Sequence, residues 1–221
     1  EAAHLALWKL VNRRTRRFLW PFGLLLVIVG ALVVYAIEDD VAAMSELAVD
    51  AFGRLDIVFN NAGLMPGQSI AIFGVGGVGM NVLQGAALVN AYPIVAIDLH
   101  DHKLEQALAF GATHTINSSK QDPEAILREL AGPGGFDAVV DLTGSGAVRE
   151  LAYNATSNTG KTVLAGVPHE QERITIDSFP LHFGRKIFGS HGGETRPDVD
   201  IPRYLRLYKL GKLKLDEQIT H

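Results

Sequence analysis

The sequence contains no cysteine among its 221 residues. Disulfide bonds and thiolate metal ligands are therefore excluded, since both need cysteine sulfur. An excess of basic charge is also missing, because 24 Asp and Glu residues outnumber 20 Lys and Arg residues and leave a formal net charge of −4 at pH 7. Nucleic-acid-binding domains usually carry a strong positive patch. The 48% hydrophobic content is that of a globular protein, and we expect no nucleic-acid partner.

Charged residues are also missing from residues 18–37, which follow a cluster of arginines at 13–17. A helix of this length would span about 30 Å, the thickness of a hydrocarbon core. Trp20 and Tyr35 lie near its ends, as interfacial aromatic residues do. The segment predicts an uncleaved apolar helix that crosses a membrane, which would make the protein membrane-associated rather than cytoplasmic. A buried strand or core helix is the alternative, since Pro21 and two glycines interrupt the run.

The most informative motif is a glycine-rich turn, Gly-Val-Gly-Gly-Val-Gly, after an apolar run at residues 70–73 that suits a strand buried on both faces. Gly74 allows a tight turn out of this strand, and Gly76 lets the backbone approach a pyrophosphate because it has no side chain. Gly79 lets the next helix pack closely on the sheet. That helix, which begins near Gly77, directs unpaired N–H groups at the phosphates.

An acidic residue stands where a dinucleotide site requires one. Asp98 closes the next apolar run, residues 94–97, and follows Gly79 by 19 positions. A carboxylate there can accept hydrogen bonds from the ribose hydroxyls and would repel a 2′-phosphate. The motif and Asp98 together predict an NAD site, whereas a glycine-rich turn that binds nothing is the alternative.

Strand and helix signals alternate regularly from residues 65–67 onward. This alternation predicts an α/β fold, a doubly wound parallel sheet of the Rossmann type, with the ligand at the carboxyl ends of the strands. An apolar helix at 18–37 would precede it. Strands are predicted at 69–73, 93–97, 113–116, 137–141, 161–165 and 186–190, and helices at 77–90, 101–110, 123–131, 146–156 and 201–210.

The segment 66–221 resembles the cofactor domain of the zinc-type, medium-chain alcohol dehydrogenases. The likeness is carried by Pro66-Gly67-Gln68-Ser69, the glycine turn, Asp98 with Lys103, Phe110-Gly111-Ala112-Thr113, Phe136-Asp137, the run from Thr162 to Pro168, Asp200-Ile201-Pro202, the run from Gly211 to Asp216, and Ile219-Thr220-His221.

This resemblance implies a role for each matching position. The pyrophosphate would be held by Gly74, Gly76, Gly77, Val78 and Gly79, and the adenosine ribose by Asp98 and Lys103. The ribose and ring pocket would be lined by Leu142 and Thr143, and the nicotinamide carboxamide would meet the backbone of Ala165, Gly166 and Val167. The family's cofactor domains pair through a sheet edge, which residues 173–190 resemble, so a homodimer is a further expectation.

Residues 38–65 resemble a different family, the short-chain dehydrogenases, through Asn60-Asn61-Ala62-Gly63 after a strand-like run. The chain therefore looks like a mosaic of a leader (1–37), a short-chain dehydrogenase-like fragment (38–65) and a dinucleotide-binding domain (66–221). Tyr208 and Lys212 have the Tyr-x-x-x-Lys spacing of that family's catalytic pair. They lie inside the zinc-type closing segment, and we interpret the match as coincidence.

The residues that would activate a substrate are not apparent. Zinc-type dehydrogenases bind the metal mainly through cysteine and histidine in a catalytic domain that precedes the cofactor domain, and no such segment is found before Pro66. His100 and His102 lack a third ligand nearby, so we assign no metal site and no catalytic residue. The expected function is NAD(H) binding in an alcohol dehydrogenase-like oxidoreductase, with hydride transfer only if a catalytic partner is supplied. The alternative is a non-catalytic, truncated or membrane-tethered dinucleotide-binding module, and a channel or transporter subunit ranks last.

Overall fold

The computed structural model describes residues 63–190, 193 and 195–219. The predicted leader at 1–37, with its membrane helix, lies outside these residues, as does nearly all of the fragment at 38–65. Among the helices of the described part, none combines the length and the apolar character that a membrane crossing requires.

Six parallel strands form one sheet in the described part of the chain, in the order β3-β2-β1-β4-β5-β6. This order confirms the predicted doubly wound sheet, in which two βαβαβ halves diverge from the centre. The strands are β1 (Ile70–Phe73), β2 (Ile94–Asp98), β3 (His114–Asn117), β4 (Phe136–Asp141), β5 (Thr156–Leu164) and β6 (Lys186–Gly189).

Five α-helices accompany these strands in the described residues. Helix α3 begins at Pro123 because the preceding residue caps it: the Asp122 carboxylate accepts a hydrogen bond from the Glu124 N–H. Pro123 suits the first helical position because it has no N–H that would need an acceptor. The helices are α1 (Gly77–Leu88), α2 (Asp101–Ala109), α3 (Pro123–Ala131), α4 (Gly146–Ala155) and α5 (Pro197–Lys209), with short 3₁₀ helices at Gly132–Gly134, Phe179–Phe183 and Asp216–Gln218.

The core lies on both faces of the sheet because alternate side chains of each strand point to opposite sides. Ile70 and Ile72 of β1 pack in one cluster with buried residues of α1 and α2, whereas Ala71 and Phe73 pack in the other with residues of α3 and α4. All four β1 side chains are buried, which explains the uninterrupted apolar run.

Two element boundaries differ clearly from the sequence prediction. Strand β5 begins at Thr156 rather than at 161, and its pairing with β4 shifts between Phe136 and Ala138. The polar residues 157–159 carry no apolar signal and so were predicted outside the strand. Helix α5 begins at Pro197 rather than at 201. Proline is typical of the first turn of a helix, which favours a start near 201, but Pro202 lies inside this helix.

The topology fixes where a ligand can bind. The chain leaves β1 for α1 on one face of the sheet and leaves β4 for α4 on the other, so the helices that follow these neighbouring strands lie on opposite faces. In open α/β sheets this divergence opens a crevice at the carboxyl ends of the strands. The glycine turn, Asp98 and the loops after β4 and β5 all lie at that edge.

Candidate functional site

The glycine turn connects β1 to α1 with three distinct backbone requirements. Gly74 has φ +89°, and its N–H donates to the Ile97 carbonyl at 2.8 Å. A Cβ on Gly79 would lie 2.3 Å from the Gly74 carbonyl oxygen, so only glycine fits there without a backbone shift. A Cβ on Gly76 or Gly77 would meet no atom within 4 Å. These two glycines therefore border open space and not the protein interior.

Helix α1 presents its N-terminus to that open space. Gly76 is its N-cap, no side chain caps the helix, and no acidic residue lies in its first turn. The first N–H groups of a helix have no intrahelical acceptor and carry partial positive charge, which suits an anion. Val78, which is partly exposed, lies in the same turn.

Asp98, the last residue of β2, ties the glycine turn to the loop after β2. Its Oδ2 accepts a hydrogen bond from the Val75 N–H at 3.0 Å, and its Oδ1 accepts from Leu99 at 2.8 Å and His100 at 3.1 Å. Lys103 Nζ lies 3.9 Å from Oδ2. A carboxylate offers about four acceptor positions, so about one remains for a ligand hydroxyl.

The loop after β4 contacts the glycine turn. A Cβ built on Gly74 would lie 3.2 Å from Thr143 Cγ2, and one on Gly79 would lie 3.3 Å from Leu142 Cδ1. The structure thus places Leu142 and Thr143 next to the glycine turn. The Asp141 Oδ1 holds this loop, because it accepts from the Thr143 N–H at 2.9 Å and from the Thr143 hydroxyl at 2.7 Å.

The loop after β5 lies beside the loop after β4. The N–H groups of Ala165 and Gly166 both donate to the Asp141 carbonyl at 2.8 Å. The Gly166 carbonyl accepts from Arg149 Nη2 at 2.5 Å. Val167 is 89% exposed. Three polar groups of the predicted carboxamide site are therefore engaged within the protein, and Val167 is the residue of the three that faces outward.

Arg149 and Glu172 were not singled out from the sequence, yet both hold the loops at this edge. Arg149 Nε lies 3.1 Å from Asp141 Oδ2, with both side chains buried, and Glu172 Oε1 accepts from the Gly146 N–H at the start of α4 at 2.6 Å. Helical spacing could have located Arg149, since it shares the buried face of α4 with Ala152. No comparable periodicity marks Glu172.

Hydrogen bonds to neighbouring side chains shift the pKa of two ionisable groups, Asp101 and Tyr208. Hydrogen bonds from Lys120 and Asn117 lower the pKa of Asp101 at the start of α2. Tyr208 donates to Asp216 Oδ2 at 2.8 Å, and this bond raises its pKa. Within residues 63–190, 193 and 195–219, no group of three His, Asp or Glu side chains is placed to hold a metal ion.

Comparison with known proteins gives a consistent picture. The sequence model of the zinc-binding dehydrogenases matches residues 77–209. Alcohol dehydrogenase-like 5 from Arabidopsis thaliana is 34% identical over 164 residues, which cover 72% of this chain and 42% of the relative.

Solved structures agree with this match. The crystal structure of benzyl alcohol dehydrogenase from Acinetobacter calcoaceticus superposes with a TM-score of 0.68 at 33% identity, covering 72% of this chain and 44% of that one. A zinc-binding dehydrogenase from Sinorhizobium meliloti 1021, solved bound to NADP, gives a TM-score of 0.61 at 26% identity, covering 70% and 45%. The chain spans less than half the length of each of these three proteins.

Proposed function

The chain belongs to the zinc-binding dehydrogenase family, its described residues form an alcohol dehydrogenase-like dinucleotide-binding domain, and we propose that this domain binds NAD(H) in preference to NADP(H). The observation that carries the proposal is the uncapped N-terminus of α1 beside Gly76, where a Cβ would project into open space. A pyrophosphate fits this cradle because the backbone N–H groups can reach its oxygens without an intervening side chain.

The preference for NAD rests on Asp98. Its carboxylate lies at the end of β2, one strand away from the glycine turn, and its remaining acceptor position can take a ribose hydroxyl. A 2′-phosphate would place like charge against this carboxylate, and Lys103, at 3.9 Å from Oδ2, would offset only part of the repulsion. The NADP bound to the Sinorhizobium meliloti relative makes cofactor choice a direct test of this argument.

The nicotinamide side is proposed to lie at the loops after β4 and β5. Leu142 and Thr143 would line the ring and its ribose, and the backbone of Ala165, Gly166 and Val167 would meet the carboxamide. The exposed Val167 is the strongest candidate of the three for a direct contact, because the N–H groups of Ala165 and Gly166 already donate to the Asp141 carbonyl.

Bound NAD(H) supplies hydride transfer chemistry, and the residues of this chain supply its binding and orientation. We propose that turnover of an alcohol needs a catalytic partner, because the described residues present no set of zinc ligands of the kind that the family name implies. A non-catalytic dinucleotide-binding module is the second candidate, favoured by the same observation.

The division of the chain into residues 1–37, 38–65 and 66–221 stays a proposal, as do the leader helix and the short-chain dehydrogenase-like origin of the second segment.

A homodimer is proposed through the β6 edge of the sheet. Its support is that β6 ends the described sheet, next to a 3₁₀ helix in which Phe179 and Phe183 are exposed. Sedimentation of the full chain would test it, with a monomer at micromolar concentration as the opposing result.

Titration calorimetry of the full chain with NAD and with NADP tests the cofactor proposal. We expect micromolar binding of NAD and binding of NADP weaker by about tenfold or more, equivalent to ~1.4 kcal/mol. Asp98→Ala should reduce this ratio because it removes the carboxylate that repels the 2′-phosphate. Absence of NAD binding by folded protein would contradict the function, and an unchanged ratio in the variant would contradict the role of Asp98.

A further inference from the structure

Asp141 is a carboxylate in the protein interior, with a side chain that is 0% exposed. A buried charge needs both a counter-ion and hydrogen bonds, because transfer from water is otherwise very unfavourable. The hydrogen bonds come from the loop after β4: Oδ1 accepts from Thr143, and Oδ2 accepts from the Gly144 N–H at 3.3 Å. The counter-ion is Arg149, whose Nε lies 3.1 Å from Oδ2.

Arg149 also reaches the loop after β5. The planar guanidinium carries several N–H donors in a fixed arrangement, so it can hold two acceptors at once. While Nε donates to Asp141, Nη2 donates to the Gly166 carbonyl at 2.5 Å. One buried side chain on α4 therefore links the two loops to which the nicotinamide side is assigned.

The two loops are in close backbone contact where Arg149 joins them. Gly144 has φ +75°, and a Cβ on it would lie 2.3 Å from the Val167 carbonyl oxygen. A Cβ on Gly166 would lie 2.4 Å from the Gly144 nitrogen. Because neither glycine leaves room between the loops, a shift of the Gly166 carbonyl must move both of them.

We propose that Arg149 is a positioning residue that fixes the nicotinamide-side loops, residues 142–144 and 165–167, in their binding arrangement before the cofactor arrives. This inference rests on the proposed function and deepens it. The adenosine side has a support that does not involve Arg149, since Asp98 Oδ2 accepts a hydrogen bond from the Val75 N–H of the glycine turn. Loss of the Arg149 bond to Gly166 should consequently weaken binding of the nicotinamide half and leave the ADP-ribose half unchanged.

Arg149→Lys isolates this effect because lysine keeps a positive charge near Asp141 but cannot hold two acceptors in one fixed plane. Arg185→Lys is the matched control: Arg185 donates to the carbonyls of Ser157 and Tyr153, and it lies just before β6, at the end of the sheet opposite the crevice. The affinities of NAD and ADP-ribose are measured by calorimetry for the full chain and both variants.

We expect Arg149→Lys to weaken NAD binding by about threefold to tenfold, as for one lost hydrogen bond, with ADP-ribose affinity unchanged. Arg185→Lys should change neither affinity. Equal losses for the two ligands in Arg149→Lys, or no loss for either, would overturn the inference. Equal affinity of the unaltered chain for NAD and ADP-ribose would also overturn it, because the loops would then contribute nothing to binding.

Hydrogen exchange of the ligand-free protein separates this inference from the proposed function. In Arg149→Lys the amides of Thr143, Gly144 and Gly166 should exchange faster, while the Val75 amide keeps its rate. Unchanged exchange at those three amides would refute the positioning role whether or not NAD binds. If Arg149→Lys does not fold, the neutral pair Asp141→Asn with Arg149→Gln replaces it, and the same losses and exchange rates are expected.

Discussion

Two glycines of the same turn should respond in opposite ways to one added methyl group. At Gly76 a Cβ meets nothing within 4 Å and φ is −75°, a value that alanine adopts freely. At Gly79 the Cβ would lie 2.3 Å from the Gly74 carbonyl oxygen and 3.1 Å from the Gly74 carbonyl carbon. The first position faces the proposed pyrophosphate, and the second faces the backbone of the protein.

Gly76→Ala should therefore keep the fold and lose the ligand. The unfolding free energy should stay within about 1 kcal/mol, since the change in backbone entropy offsets the weaker N-cap. A methyl group in the cradle would separate a phosphate oxygen from the first N–H groups of α1. One hydrogen bond to a charged group is worth about 1.5–3 kcal/mol, so NAD affinity should fall about 10- to 100-fold.

Gly79→Ala should instead destabilise the fold. Overpacking against backbone atoms costs about 1–3 kcal/mol, which corresponds to a Tm lower by about 2–12 °C for a chain of this size. Differential scanning calorimetry and NAD titration are compared with Gly134→Ala, a control position whose Cβ also meets nothing within 4 Å. Wild-type affinity in Gly76→Ala, or wild-type Tm in Gly79→Ala, would refute the assignment of the two faces of the turn.

Two further predictions concern α5 and the segment that follows it, residues 211–218. The buried Gln84 side-chain amide forms hydrogen bonds with both the N–H and the carbonyl of Lys214. Gln84→Ala should therefore lower the unfolding free energy, measured by urea titration, by about 1–3 kcal/mol. Wild-type stability in this variant would contradict the anchoring role. Burial, with a contribution from Asp200, raises the pKa of Tyr204 to about 12. Protonated Tyr204 therefore contributes to the free energy of unfolding below about pH 10, the pKa of tyrosine in the unfolded chain. This contribution is lost as the pH rises to about 12, its pKa in the folded protein. Stability measured across that range should fall more steeply for the wild type than for Tyr204→Phe, and parallel curves would contradict the assignment.

The sequence predicted the fold because its strongest signals are local. Apolar runs such as residues 70–73 are buried on both faces, and helix boundaries followed capping and turn residues to within a few positions. The prediction was least accurate where tertiary contacts decide the outcome. The polar residues 157–159 extend β5 through an irregular pairing with β4, and Pro202 is accepted within α5. Neither arrangement leaves a periodic pattern in the sequence.

The two halves of the candidate site also differ in how far they can be predicted from the sequence. The proposed adenosine and pyrophosphate side depends on missing side chains at Gly74, Gly76 and Gly79 and on Asp98, all of which have fixed spacing along the chain and can be identified from it. The proposed nicotinamide side depends on a buried ion pair between Asp141 and Arg149. Helical spacing can place Arg149 on the buried face of α4, but no spacing pairs it with Asp141 on the neighbouring strand. Substitutions on the first side should therefore act on the whole dinucleotide, whereas substitutions at the ion pair should act on the nicotinamide half. The ratio of NAD to ADP-ribose affinity consequently measures which half of the site a given residue supports.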